Sequence, residues 1–347
     1  MKNPIIIDSQ EAVEITLDQV TMSMDNICIF AANGDVTLNL KGENSLENTS
    51  SEYYPYQDEK IDAVIYAKDD LLIKGSGTLA LHSEMHGIVC KDRLTVNAKV
   101  DITSVKTAVR GKKGIEVSDA SLTLNAGTDG LKSDSDDGTI TIKNSDIQVT
   151  AKDKGLQCVH LIQIDSGTIE IDSSDDGINC DDTILVNGGR LTVTSGNDAI
   201  HADQKLTVND GVMKLSAGEG LEAVLVTVKG GTIEIEASDD GINAAQKTGG
   251  STPEINISGG DIKIVMAAGD TDGIDTNGNL VISGGTIDIT ADSPFDYDGQ
   301  GSFTGGTVYV NGQQVTTLQN QMGGFRGNGG QGRRGGRGRW FGMEDDV

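Results

Sequence analysis

A short motif of acidic residues, a glycine and an aliphatic residue recurs along this chain at a nearly constant interval. The clearest copies are Asp175-Asp176-Gly177-Ile178-Asn179 and Asp239-Asp240-Gly241-Ile242-Asn243. The aliphatic anchors lie 21 to 25 residues apart, with a last interval of 32, at Val64, Ile88, Val109, Leu131, Leu156, Ile178, Ile200, Leu221, Ile242 and Ile274. A unit this short buries its apolar face only by stacking on its neighbours, so the period predicts a solenoid.

Each repeat carries two further short runs in which aliphatic and polar residues alternate around a Gly pair. Examples are residues 184–193 around Gly188-Gly189 and 226–235 around Gly230-Gly231. Alternation predicts strands with one face inward, and the Gly pairs predict turns. The Leu/Asn pattern of leucine-rich repeats and the nine-residue calcium repeat do not occur. We therefore predict an all-β fold, a right-handed single-stranded parallel β-helix of about ten to twelve coils.

This β-helix domain is predicted to span residues 1–320, with 1–60 as the N-terminal cap and first coils. Residues 321–347 form a Gly/Arg-rich segment that predicts a disordered tail. The four cysteines show no CxxC spacing, so neither a zinc site nor a redox motif is indicated. No stretch is long and apolar enough for a membrane span, and no signal peptide is visible.

The charge of the chain limits its partners. A formal net charge of −26, from 53 acidic and 27 basic residues, argues against nucleic acid, since phosphate binding needs a basic surface. It favours cations, or anionic partners bridged by cations. We expect a monomer.

Stacking turns the repeat into ladders of equivalent residues about 4.8 Å apart. The second residue after each anchor is small, which predicts an inward ladder: Cys90, Ser133, Cys158, Cys180, Ala202, Ala223, Ala244 and Thr276. Three of the four cysteines are then core residues rather than reactive ones. In the motif itself we expect Ile178 to point inward and Gly177 to make the bend.

Acidic residues accumulate at the opposite side of the same corner. Two unit charges at the spacing of neighbouring strands repel by roughly 3–4 kcal/mol at an effective dielectric constant near 20. A stack of carboxylates is therefore stable only with cations between the rungs, and several carboxylate and amide oxygens per site suit Ca²⁺. We predict several Ca²⁺ ions, with ligands drawn from Asp129, Asp153, Asp175, Asp176, Asn179, Asp198, Glu219, Glu222, Asp239, Asp240, Asn243, Asp272 and Asp275.

Three positively charged side chains near this corner suggest a second hypothesis, in which one of them is a catalytic base. Lys154 interrupts the carboxylate ladder, and Arg110 and Lys132 follow their anchors directly. Lys154 is either a tethered cation that neutralises its neighbours or a general base. His201 is expected to be an outward surface residue rather than a catalytic base.

Several stretches resemble one bacterial family. They are residues 63–79, 87–92, 109–112 and 127–134, and the likeness extends over roughly residues 30–320. The chain resembles the extracellular carbohydrate-binding, polysaccharide-lyase-like parallel β-helix proteins of cellulolytic clostridia. The resemblance implies secretion or cell-surface attachment, bound calcium, and binding of cellulose-like or pectin-like polymers. Thr107-Ala108 replaces the usual Asp-Gly, which weakens any calcium site on that rung.

The predicted function is therefore a calcium-binding extracellular protein that binds plant cell-wall polysaccharide, more a binding protein than an enzyme. One alternative is a calcium-dependent lyase of the pectate type, with Lys154, Lys132 or Arg110 as base. Another is a structural surface protein or adhesin. Few aromatic residues are available to stack on crystalline cellulose, the candidates being Tyr53, Tyr54, Tyr56, Phe295 and Tyr297.

Overall fold

The computed structural model describes residues 3–57, 59–246, 250–269 and 271–320. This part of the chain is all-β, without helices, and winds into a β-solenoid of about 14 turns. The prediction of ten to twelve coils was too low, because coils at both ends lack the acidic motif. The strands Ile5–Asp8, Ile29–Asn33 and Ser293–Tyr297 stack on the same face as the motif-bearing ones.

Successive coils pair in parallel on three faces, and four strands continue from one face to the next. The first face consists of Ile5–Asp8, Ile29–Asn33, Ala63–Ala67, His86–Cys90, Val109–Gly111, Leu131–Ser133, Leu156–Cys158, Ile178–Cys180, Asp198–Val208, Glu219–Val228, Asp240–Ala244, Asp272–Thr276 and Ser293–Tyr297. The second consists of Val13–Asp18, Val36–Lys41, Leu71–Ser83, Arg93–Ser104, Gly114–Ser118, Thr139–Lys143, Leu161–Ile164, Thr183–Val186, the ends of Asp198–Val208 and Glu219–Val228, Glu254–Ile257, Asn279–Ile282 and Gly301–Phe303.

The third face consists of Thr21–Met24, Glu43–Asn48, the ends of Leu71–Ser83 and Arg93–Ser104, Ser121–Ala126, Ser145–Ala151, Gly167–Ser173, Arg190–Ser195, Val212–Ala217, Thr232–Ala237, Asp261–Met266, Thr286–Thr290 and Thr307–Val310. Gln313–Val315 pairs antiparallel with the last of these. Tyr54–Tyr56 and Glu59–Ile61 form a separate antiparallel hairpin. The three-strand coil predicted from the alternating runs is confirmed. Its right-handed winding and the boundary at residue 320 stay predictions, and residues 321–347 lie outside the described residues.

The core is a column of aliphatic side chains that runs through all coils. Strict alternation places every second residue inside, as in Ser145–Ala151, where buried and exposed residues alternate throughout. The anchors stack in register from Ile88 onward. The small inward ladder is also confirmed, with Ser133, Cys158, Cys180 and Ala202 paired in sequence. All four cysteines are buried and free.

One predicted anchor was wrong by a single residue. Ile65, not Val64, pairs with Ile88 on one side and with Ile29 on the other. The strand Ala63–Ala67 consists of five consecutive apolar residues, all buried. A strand buried on both sides has no alternation, so its register is not readable from the sequence.

The Gly pairs and the motif glycines have different roles. The second Gly of each pair has a positive φ, 96° at Gly189 and 93° at Gly231, as a turn requires. Gly177 has no such φ. A Cβ there would lie 2.2 Å from Val193 Cγ1 and 2.6 Å from the carbonyl oxygen of Ala199. The expected bend at Gly177 is confirmed, but Gly is needed there because the next coil approaches closely and not because the bend requires a positive φ.

Candidate functional site

One row of side chains lies on the outer surface of the first face, directly after the anchors. We call it the outer ladder, and its members pair from coil to coil in the order Arg110, Lys132, Gln157, Asn179, His201, Glu222, Asn243, Asp275 and Asp296. Its chemistry changes along the axis from cationic through amide to acidic. A ligand bound at one end therefore meets different chemistry from one bound at the other.

A second row, three residues earlier in each coil, runs beside the outer ladder. Asp198 pairs with Glu219, and Asp240 pairs with Asp272. The backbone extends this row, because Gly155 N donates to the Asp176 carbonyl at 3.1 Å and Gly177 N donates to that of Asp198 at 2.8 Å. We call the two rows together the acidic edge. All thirteen predicted calcium ligands lie on or beside this edge.

The edge contains a groove of about 620 Å³. Carboxylates and amides dominate its lining, together with Lys154, His201 and Val224: Asp175, Asp176, Asp181, Asp198, Asp203, Gln157, Asn179, Asn197 and Gln204. Among the described residues, no phenylalanine, tyrosine or tryptophan lines the groove. The groove is thus a hydrogen-bonding surface rather than a stacking surface.

At one end of the groove, a lysine holds two carboxylates. The Lys154 ammonium contacts Asp175 and lies 2.7 Å from Asp176 Oδ2. Asn179 and Asn197 also donate to Asp176, at 3.0 and 2.8 Å. Burial alone would raise the pKa of Asp176, but these hydrogen bonds, led by Lys154, hold it below its usual value.

The same contacts decide the state of Lys154. Burial lowers the pKa of the ammonium, but the hydrogen bonds to Asp175 and Asp176 outweigh burial and raise it above the ordinary value. A general base must lose its proton near the working pH. Lys154 is held in the charged form. The geometry therefore favours Lys154 as a tethered cation that neutralises its neighbours, and not as a general base.

A histidine lies at the other end of the groove. His201 Nδ1 is 2.8 Å from Asp198 Oδ2 and 2.5 Å from Glu222 Oε2, and Nε2 is 3.0 Å from Asp203 Oδ1. The prediction that His201 is a surface residue was wrong, since it is 5% exposed. Its place on the outer ladder points it away from the core, but the carboxylates around it cover the ring.

Beyond the histidine, carboxylates accumulate with fewer neutralising groups. Burial, and then the charges of Glu222 and Asp198, raise the pKa of Glu219 to about 8. Burial, and then Asp275, raise the pKa of Asp240 to about 7. Burial, and then Asp296, raise that of Asp275 to about 6. Here the electrostatic cost of stacked carboxylates is largest.

At the opposite end, cations and carboxylates are paired. Lys132 Nζ lies 3.2 Å from Asp129 Oδ2, and Arg110 Nε donates to Asp134 Oδ2 at 3.0 Å. Asp153 lies nearby, and burial, followed by the charge of Asp129, raises its pKa. Asp129 is 2% exposed and also accepts from Thr107 at 3.4 Å.

The residues of the edge fit a cation in one specific respect. Four buried carboxylate or amide oxygens on or beside the edge have no hydrogen-bond donor among the described residues: Asp129 Oδ1, Asp134 Oδ1, Asn243 Oδ1 and Asp296 Oδ1. Buried polar atoms of this kind are rare in folded proteins, and a hard cation would satisfy them. The thirteen predicted ligands are spread along the edge and do not converge on one site.

The sequence interpretation missed some residues of the groove. Asn197 bridges Asp176 and Asp198, and Asp203 contacts His201. Asp181 and Asp203 line the groove, and both stand three residues after an anchor, as does Asp134 beside Arg110. That repeated position is a signal that a search of the ladders at every offset would have found.

The fold and this edge define a β-solenoid protein with an acidic, polar groove. A family model described as "Carbohydrate-binding domain-containing protein" matches residues 2–223, 137–270 and 219–321, which overlap as internal repeats do. The chain belongs to this family, as the resemblance to carbohydrate-binding proteins implied. Neither a curated protein nor a solved structure gives a significant match. In the described part of the chain, no helix is long and apolar enough to cross a membrane.

Proposed function

We propose that this protein binds plant cell-wall polysaccharide outside the cell, and that Ca²⁺ ions on the acidic edge hold an acidic, pectin-like polymer. The groove of the carbohydrate-binding fold carries the proposal. It lies along the axis of stacked coils, so its length suits a linear polymer. Its carboxylates would repel a uronate chain directly, and Ca²⁺ bridges remove that repulsion.

The aromatic residues favour an acidic polymer over crystalline cellulose. Tyr54 and Tyr56 pack against Phe30, with ring centroids 6.4 and 4.7 Å away. Phe295 is 1% exposed. Tyr53 is 45% exposed, but a single exposed ring does not make a flat stacking platform. The amides Gln157, Asn179, Asn197 and Gln204 do line the groove, and they suit the hydroxyl groups of a neutral, cellulose-like chain as the second candidate ligand.

The calcium part of the proposal is supported by two groups of carboxylates whose charges act on one another. One contains Asp240, Asp272 and Asp275 with Asp296, and Asp239 adds charge beside Asp240. The other contains Asp129 and Asp153. In both, a buried carboxylate oxygen without a described donor is available, at Asp296 and Asp129.

The two alternatives are less favoured. A lyase needs a base, but each candidate cation is engaged: Lys154 with Asp175 and Asp176, Lys132 with Asp129, and Arg110 with Asp134. A purely structural protein has no need of a polar groove lined with amides.

Retention on immobilised polygalacturonate tests the binding proposal. We expect retention with Ca²⁺, and its loss with a calcium chelator. The double variant Asp175→Asn, Asp181→Asn removes two groove carboxylates and should lose most retention. The matched control is Asp146→Asn, Asp172→Asn, two exposed carboxylates on the third face. Retention that survives the chelator, or equal loss in both double variants, would contradict the proposal. Binding to cellulose without binding to polygalacturonate would favour the neutral, cellulose-like chain as the ligand.

A separate assay addresses the lyase alternative. The protein is incubated with polygalacturonate and Ca²⁺, and absorbance is followed at about 235 nm for the unsaturated product of proton abstraction. We expect no increase. An increase that disappears in Lys154→Ala would establish a lyase.

A further inference from the structure

The side chains around His201 form a cluster unlike the rest of the acidic edge. Asp198, His201 and Glu222 place one ligand atom each within 4.8 Å of one another. Their side chains are 5, 6 and 7% exposed. Among the described residues, no other group of three His, Cys, Asp or Glu side chains meets this criterion.

The hydrogen bonds of the imidazole define what this cluster needs. Asp203 Oδ1 lies 3.0 Å from Nε2, and because a carboxylate accepts, Nε2 carries a proton. In the neutral ring Nδ1 is then an acceptor. It faces Asp198 Oδ2 and Glu222 Oε2, so three electron-rich atoms converge on one point. Either a further proton or a metal ion must lie among them.

A metal ion satisfies this arrangement with all groups in ordinary states. Histidines that bind metals almost always donate their other ring N–H to a carboxylate or carbonyl, as His201 does to Asp203. Two carboxylates also balance the charge of a divalent ion. Asn243, one rung from Glu222, adds a buried amide oxygen that lacks a described donor.

We infer that Asp198, His201 and Glu222 bind a divalent transition ion of the zinc type, with Asp203 orienting the imidazole. An imidazole nitrogen suits Zn²⁺ and its transition-metal neighbours, whereas Ca²⁺ takes oxygen ligands. The groove, whose lining includes Asp198 and His201, provides the entry path. This site is separate in kind from the proposed calcium sites and does not rest on polysaccharide binding.

Metal content measures the site directly. The full chain is stripped with a chelator, then dialysed against Zn²⁺ with an excess of Ca²⁺, and its zinc is quantified by mass spectrometry. We expect wild type to hold one zinc ion more than His201→Asn. Asparagine is compatible with this ladder, because Asn179 and Asn243 are also members. His160→Asn, which removes a half-exposed histidine paired with Asp182, is the matched control and should keep the zinc.

A second variant and an absorption spectrum distinguish the loss of a metal ligand from misfolding. Asp203→Asn changes a side chain that is 46% exposed and should weaken Zn²⁺ binding by about 10–100-fold. Co²⁺ bound to wild type should give visible absorption bands that His201→Asn alters. Equal zinc in wild type, His201→Asn and Asp203→Asn, or zinc fully displaced by Ca²⁺, would overturn the inference and assign a protonated imidazole. Loss of polygalacturonate retention in the separate assay would leave this result unchanged.

Discussion

At the scale of single residues, the carboxylates of the acidic edge differ in what neutralises them. Asp176 has the Lys154 ammonium at 2.7 Å, and its pKa is lowered. Burial, followed by the charges of Asp275, Asp239 and Asp272, raises the pKa of Asp240 to about 7. The same residue type on the same edge is thus stabilised in opposite protonation states. The identity of the neighbour one coil away decides which.

The raised pKa values predict a dependence of stability on pH. Glu219 and Asp240 have folded pKa values of about 8 and about 7, above the ordinary 4.5 and 3.8. Between these limits the folded state binds more protons than the unfolded state, so stability falls as pH rises from about 4 to about 8. In chelator, the melting temperature should be higher at the acidic end of this window.

Calcium should reduce this pH dependence, because a bound cation replaces the protons. The control is Glu219→Gln, Asp240→Asn, which removes both groups and should flatten the profile without calcium. A melting temperature that rises with pH across the window in chelator would contradict the assignment.

The tethered lysine makes a second prediction. Lys154→Gln leaves Asp175 and Asp176 without their ammonium, and in the absence of divalent cations it should lower the free energy of unfolding by about 1–3 kcal/mol. Urea unfolding measures this. The matched control is Lys263→Gln, which removes an exposed pair with Glu234 and should lower the free energy of unfolding much less, because water screens that pair. Equal effects of the two variants would show that the buried contact adds nothing.

At the scale of strands and turns, spacing between coils controls which side chains fit. The motif glycines stand where a neighbouring coil comes close, and the second glycine of each pair stands in a turn with a positive φ. Both kinds of glycine recur at regular spacing in the sequence, but the physical reason for glycine differs between them. The motif glycines leave no space for a side chain, whereas the second glycine of each pair provides a backbone conformation that other residues rarely adopt.

Substituting Gly177 should therefore destabilise the coil by overpacking. Gly177→Ala places a methyl group against Val193 and the Ala199 carbonyl, and we expect a loss of about 1–3 kcal/mol in unfolding free energy. Gly188→Ala is the matched control, since its Cβ would meet just the Asp165 carbonyl, at 3.1 Å, without a positive φ. Thermal and urea unfolding compare the two. A Gly188→Ala effect as large as that of Gly177→Ala would contradict this account.

At the scale of the whole molecule, the chain has a net charge of −26, and many of its carboxylates stand on stacked coils. Each coil contacts its neighbours, so repulsion between rungs acts on the interfaces that hold the solenoid together. Divalent cations at the edge act on those same interfaces. Their effect on global stability is thus a measure of how many rungs they bridge.

We expect Ca²⁺ to raise the melting temperature and a chelator to reverse this. At a hundred times its dissociation constant, a ligand adds about 2.7 kcal/mol per independent site to the free energy of unfolding. Mg²⁺ should act less strongly, because it gives up its water reluctantly and demands stricter geometry. Calorimetry with Ca²⁺, Mg²⁺ and Na⁺ at equal ionic strength makes the comparison. Equal effects of all three salts would indicate charge screening alone.

Much of this molecule was determined by features that act within one repeat. Alternation defined the strands, Gly189 and Gly231 marked turns, and the small side chains from Ser133 to Ala202 marked an inward ladder, because these are local consequences of backbone geometry. The repeat length then fixed which residues stack, so the acidic edge followed from the sequence as well. The predicted register was wrong at Val64, because a fully apolar strand shows no alternation from which to assign it.

The tertiary structure decided what depends on contacts across coils. It placed Lys154 between two carboxylates, buried His201 beneath Glu222 and Asp203, and revealed that Gly177 faces a close neighbour. It also added end coils that carry no motif. Period and alternation specify the coil and the face on which a side chain lies. Its partner is about 22 residues away in the sequence, and the lengths and rotamers of the two side chains decide whether they make contact.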